Sequence, residues 1–139
     1  MLGLRRRRDA RLALIWDEAV ERGGQRGPHQ VGRWRTCECL GKVVKHRQRA
    51  RRGTKVLVRW EADGVTTPAW FWYGRPPVGA YVLATGQYAD GTQEDESVFY
   101  VEQGAFRIVP ARVVKAATRH RRRVERSARR AAANRLKTT

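Results

Sequence analysis

His46, Arg47, Gln48, Arg49, Arg51, Arg52 and Lys55 crowd one ten-residue stretch, five of them permanent or near-permanent cations. Guanidinium groups fork onto phosphate oxygens and stack on bases, so such a cluster is suited to gripping a polyanion. A second cluster, Arg119, Arg121, Arg122, Arg123, Arg126, Arg129 and Arg130, lies near the C-terminus, and a third, Arg5, Arg6, Arg7 and Arg8, near the N-terminus. On a helix, Arg119, Arg122, Arg126, Arg129 and Arg130 fall on one side, where like charges three and four apart repel. Phosphates would relieve that repulsion. Contacts of this kind position a nucleic acid without reading its bases.

Aromatic side chains offer the second chemistry. The chain holds five Trp, four Tyr and three Phe. In an extended strand Trp70 and Trp72 share one face, and Phe71 and Tyr73 the other. One face is then expected to be core; the other can be more core, or a platform on which bases or a partner's side chains stack.

Other constellations are weaker. Cys37 and Cys39, with His29 and His46 on either side, make four potential zinc ligands within 18 residues. The Cys-x-Cys spacing is not the usual one, however, and two ligands on one extended strand must bend to reach one ion. We expect two reduced cysteines, no metal and no cofactor. For catalysis, His29, His46 and His120 lie in basic or loop-like surroundings, and Ser97 and Ser127 lack a nucleophile-turn context. Glu94, Asp95 and Glu96 read as a solvated acidic run, and no Gly-rich phosphate loop with its Lys is present. The expectation is a protein that is not an enzyme.

The elements that must position these groups follow from charge and periodicity. The 139 residues hold 30 Lys plus Arg against 13 Asp plus Glu, a net charge of +17. Residues 1–55 carry 16 cations and 5 acids, residues 56–110 carry 3 and 7, and residues 111–139 carry 11 and 1. Two basic ends flank a slightly acidic middle, which is the distribution expected of a polyanion-binding protein with a neutral scaffold. Arg outnumbers Lys 25 to 5. No run approaches the roughly 18 apolar residues of a membrane span, and the N-terminus does not read as a secretory signal. These features predict a soluble, intracellular protein: cytoplasmic, associated with nucleoid or ribonucleoprotein, or part of a virion.

Leu12, Ile15, Trp16, Ala19 and Val20 recur at helical spacing, predicting an amphipathic helix over 5–22 that Gly23 and Gly24 end. Residues 23–33 read as a connector. Period-two patterns then predict strands at 40–48 and 54–61, joined through a basic tip at Arg49–Gly53, with Arg47, Arg49 and Arg51 on one face. Asp63–Gly64 is a hairpin signal leading into a strand over 65–73, where Pro68 implies an edge or bulge. Further short strands are expected at 79–85, 97–102 and 105–109, with a polar loop at 86–96. Pro110 opens a second helix over 111–137, which would be about 40 Å long at 1.5 Å per residue. Its distal half is expected to project or to order on a partner. The division is 1–33 (helix and basic linker), 34–109 (small β-barrel) and 110–139 (basic helix). The fold class is α+β: a small antiparallel barrel of five to six strands flanked by an N-terminal amphipathic helix and a long basic C-terminal helix.

Gly41–Lys42–Val43–Val44, the basic tip, Lys55–Val56–Leu57–Val58–Arg59–Trp60 and the Asp63–Gly64 turn together resemble SH3-like small barrels of the KOW and Tudor type. The resemblance covers residues 40–109 and implies a five-stranded barrel, often an RNA- or protein-binding module. The short Arg-rich chain also resembles small proteins of actinobacterial phages and plasmids, a likeness that implies no function.

Two function classes follow. One is a non-enzymatic nucleic-acid-binding protein that holds DNA or RNA through phosphate contacts. The other is a structural or interaction protein of a virion or large ribonucleoprotein assembly, with protein partners on its aromatic and apolar faces. Neither involves a membrane.

Overall fold

The structure, a computed structural model, describes residues 2–22, 36–89 and 98–138. Helix α1 (Leu2–Glu21) is followed by strands β1 (Thr36–Ala50), β2 (Gly53–Trp60), β3 (Thr66–Trp72), β4 (Tyr81–Ala89) and β5 (Val98–Val109), then by helix α2 (Ala111–Lys137). The expected connector at 23–33, His29, and the acidic run Glu94–Glu96 lie outside the described residues. Among the described residues no helix is long and apolar enough to cross a membrane.

The five strands close into a ring in the order β1-β2-β3-β5-β4. β1, β2 and β3 form a meander; the chain then crosses so that β4 returns beside β1, and β5 fills the gap between β4 and β3. β5 runs parallel to β3, with Ala69 opposite Phe99 and Trp70 opposite Tyr100. The sheet is therefore mixed, which corrects the expectation of an antiparallel one. The two short strands expected at 97–102 and 105–109 are one strand with an irregularity. Ala84 pairs with Phe106 but Gly86 with Val101, and the residues bulged out between them include Gly104 at φ 74°. Pro68 sits where β3 pairs with β2 alone, just before the parallel pairing begins at Ala69.

Alternation in the strands divides the side chains between two cores. Val43, Val56, Val58, Trp60, Ala69, Phe71, Val82 and Phe99 point into the ring and are wholly buried. Trp60 packs edge-on against Phe99, and its Nε1 donates to Thr67 Oγ1 at 2.7 Å. That bond satisfies the one polar atom Trp60 brings inside. Thr67→Val keeps the shape of the side chain and removes the acceptor, so it should cost about 1–3 kcal/mol in a urea unfolding titration. An unchanged midpoint would show that the indole N–H finds another partner.

The second core lies outside the ring. Leu40 and Leu83, opposite each other on β1 and β4, face outward and meet Trp16 and Ala19 of α1 and Val113, Val114 and Ala117 of α2. The helical stripe expected from Leu12 to Val20 is the surface that α1 buries here. Two ion pairs lie between the helices, Arg112 with Asp9 and Arg121 with Asp17. Both partners advance along both chains, so α1 and α2 run side by side in the same direction. The Arg112 guanidinium holds the Asp9 carboxyl below its ordinary value of 3.8. A depressed folded pKa means that this contribution is present at neutral pH and fades as the pH falls below 3.8; Asp9 is solvent-screened, so it is small.

Candidate nucleic-acid interface

The basic tip and the tryptophan strand, separate features of the sequence, are neighbours in the ring. β2 pairs with β3 along its length: Lys55 lies opposite Trp70 and Gly53 opposite Trp72. Beyond the last pair, the Tyr73 N–H donates to the Arg52 carbonyl at 2.8 Å. The turn carrying Arg51 and Arg52 is thus held against the end of β3.

Trp70 and Trp72 lie half-buried on the outer side of β3, while Phe71 between them is buried. Their rings meet edge to face, with centroids 5.4 Å apart. Gly53 lets Trp70 sit this close to the tip, because a Cβ there would come within 2.6 Å of the indole and 2.5 Å of the Phe71 carbonyl. Tyr100, opposite Trp70 on β5, is 44% exposed, and Tyr73 is 67% exposed at φ 50°. Tyr73 thus adjoins the turn, Trp72 and Trp70 follow it along β3, and Tyr100 continues the aromatic row onto β5.

Cations occupy the outward positions of the strands beside them. Following the register from the tip, Gln48 lies opposite Lys55, Lys45 opposite Leu57, and Lys42 opposite Arg59. Lys42, Lys45, Arg59, Tyr73 and Tyr100 flank the candidate site, and sequence reasoning missed them. The signal for Lys42 and Arg59 was present, since Lys55, Leu57 and Arg59 alternate. Tyr100 had none, because only the parallel β3–β5 pairing brings it beside Trp70.

The expectation that Arg47, Arg49 and Arg51 share a face is corrected by the register. Pairing passes from His46 with Val56 to Gln48 with Lys55, which leaves Arg47 as the extra residue of a bulge. Arg49 lies opposite Thr54, and Arg51 is in the turn itself. A β-bulge resets the alternation on which that expectation rested. The tip is exposed from Arg49 to Arg52.

The terminal arginines divide. Arg5 to Arg8 are exposed at the start of α1, near the Asp9–Arg112 pair. Arg122, Arg123, Arg126, Arg129 and Arg130 are exposed beyond the Asp17–Arg121 pair, at the other end of the two-helix layer. Arg119 is exposed, whereas Arg121 is half-buried and bonded to Asp17 Oδ1 at 3.0 Å, so it ties the helices together. The three basic clusters do not converge on one spot.

Of the four candidate zinc ligands, Cys37, Cys39 and His46 are described. His46 Nε2 donates to the Pro76 carbonyl at 2.7 Å, and Cys37 and Cys39 point into the ring with their Sγ atoms 3.2 Å apart. That contact lowers the Cys37 pKa from its ordinary value, while the same contact and burial raise that of Cys39. Among the described residues no three His, Cys, Asp or Glu side chains are grouped to hold a metal ion. No protein-family model, curated protein or solved structure matches the chain.

Proposed function

We propose that the protein is a non-enzymatic nucleic-acid-binding protein that holds DNA or RNA mainly by its phosphates, and that the strand it prefers is single. The observation that carries this reading is the placement of the Arg51–Arg52 turn and Lys55 against the outward indoles of Trp70 and Trp72. Cations that track a backbone beside aromatic rings that stack bases are the two components of sequence-tolerant single-strand binding. A duplex offers its phosphates to the same cations but keeps its bases stacked away from the rings.

The connectivity supports the same reading by fold analogy alone. Residues 40–109 resemble SH3-like barrels in sequence pattern. The ring order, with β5 parallel to β3 and β4 closing onto β1, instead favours the oligonucleotide/oligosaccharide-binding type. Those five-stranded Greek-key barrels bind across strands 2 and 3 and the loop between strands 1 and 2. Lys55, Trp70, Trp72 and the Arg51–Arg52 turn occupy that face and that loop.

The test is a salt titration of a fluorescent single-stranded oligonucleotide by anisotropy. With four to six phosphates neutralised, the log–log slope should be about −3 to −4 for a single strand. A duplex of equal length should bind more weakly at every salt concentration. Affinity unaffected by salt, or a duplex preferred throughout, would sink the reading.

One observation favours a second reading, as an interaction protein of an assembly. The side of α2 that packs through Val113, Val114 and Ala117 continues past the body as Val124, Ala128 and Ala131, all exposed. A defined oligomer surviving nuclease treatment on size-exclusion chromatography would support it; a monomer would count against it.

A further inference from the structure

A cleft of about 510 Å³ separates α2 from the end of the ring farthest from the basic tip, and Tyr81, Glu61, Lys115, Arg119 and Arg122 line it. Tyr81 lies opposite Lys42 on β1, and the Lys42 ammonium sits over its ring, 5.8 Å from the centroid. Lys42 in turn lies opposite Arg59. The row Arg59–Lys42–Tyr81 thus runs across β2, β1 and β4 straight into the cleft.

This row is the far end of the surface already described. Outward cations follow one another from the Arg51–Arg52 turn through Lys55 and Lys45 to Lys42 and Arg59. Lys55 and Arg59 are four steps apart along β2, about 13 Å at 3.3 Å per residue. Past the cleft, the side of α2 that bears Arg119 and Arg122 carries Arg126, Arg129 and Arg130 onward by helical periodicity. The hairpin tip and the α2 arm are therefore the two ends of one cationic path.

We propose that this cleft is a second subsite for the same single strand. Lys42, Lys115, Arg119 and Arg122 would hold a phosphate there and Tyr81 would face its sugar or base, so that one strand runs from the tryptophan face onto α2. The inference rests on the nucleic-acid reading above and adds the direction and length of the path. One carboxylate stands in the cleft, Glu61. Burial pushes its pKa up from the ordinary value, against the counter-charges of Arg59 and Lys42. Cations still outnumber it: Lys115, Arg119 and Arg122 line the cleft, and Lys42 sits at its edge over the Tyr81 ring, so an anion held there is met by charged donors.

A path with two subsites predicts that affinity depends on strand length, because the second contact becomes intramolecular once a strand spans both. The experiment uses the full chain and labelled oligothymidylates of about 4 and about 12 nucleotides, within the span of site sizes known for five-stranded barrels. Salt near 0.15 M limits the Debye length to about 8 Å, so distant charges act weakly. Three proteins are compared: wild type, Arg119→Ala with Arg122→Ala, and a control losing the same charge elsewhere, Arg11→Ala with Arg107→Ala. All four side chains are exposed, so neither variant opens a cavity in a core, and matching melting temperatures check that both fold.

The expected result is a loss of about 10- to 30-fold on the longer strand for the cleft variant, from two phosphate contacts. Its affinity for the short strand should stay within about twofold of wild type, and the control should match wild type on both. Equal losses on short and long strands, or the same loss in the control, would overturn the subsite in favour of a diffuse field. So would a wild type that binds both lengths alike. If the wild type binds neither strand, the nucleic-acid reading itself fails, a result distinct from these.

Discussion

The full chain carrying Arg49→Ala, Arg51→Ala, Arg52→Ala and Lys55→Ala should bind a single-stranded oligonucleotide about 100- to 1,000-fold more weakly at 0.1 M salt. Each phosphate neutralised on a single strand contributes about 0.7 to the log–log salt slope, so the slope should also flatten by about 3. The three arginines are exposed at the turn, and Lys55 lies on the outward side of β2. Their removal leaves both cores intact. The melting temperature should hold within a few degrees while affinity collapses. A slope unchanged by the four substitutions would place the phosphates elsewhere, on the helices alone.

The second large effect concerns the tryptophans and separates single strands from duplexes. Base–aromatic stacking is worth about 1–3 kcal/mol per base, so Trp72→Ala should weaken single-strand binding roughly 5- to 150-fold. Trp70→Ala should cost a similar factor, and some stability besides, because that indole covers Gly53. Trp70→Phe and Trp72→Phe keep an aromatic face and should recover most of the loss. Duplex affinity, which depends on cations alone, should change by less than about threefold. Equal losses for single and double strands would mean that the rings serve packing, and that the face is only a charged surface.

The helices and most strands were legible because their periodicity is local. The 3.6-residue stripe from Leu12 to Val20 and the unbroken helix formers after Pro110 needed no tertiary information, and α2 matches the expected 111–137. The β2 strand shows the same economy: Val56 and Val58 alternate with Lys55 and Arg59. What could not be read was connectivity. Nothing local says that β5 lies parallel to β3, since that pairing joins residues about thirty apart and involves two residue pairs only. An antiparallel ring was the default inference, and the mixed sheet is set by how the ring closes.

The site was half legible for the same reason. The basic tip and the Trp70/Trp72 pair stood out by composition, yet their adjacency comes from β2–β3 register that carries Gly53 to Trp72 and Arg52 to Tyr73. The bulge at Arg47 was hidden because no glycine or proline marks it. The α2 arginines were visible as a charged side, but Arg121 looked like its neighbours until the Asp17 contact set it apart. Tyr81 escaped because its significance lies in facing α2, about thirty residues further along the chain, and Lys42 because its own lies in sitting over the Tyr81 ring.

Photocrosslinking reads out whether bases stack on the β3 tryptophans. A single-stranded oligonucleotide carrying 5-iodouracil, which couples to aromatic rings it stacks on, is irradiated with the full chain, and the attached peptides are mapped. Adducts are expected on Trp70 or Trp72, with Tyr100 or Tyr73 as secondary sites, and they should be lost on competition with unlabelled single strand. Adducts confined to Trp16 or to other residues off β3, or a bound oligonucleotide that yields none at all, would overturn the single-strand reading.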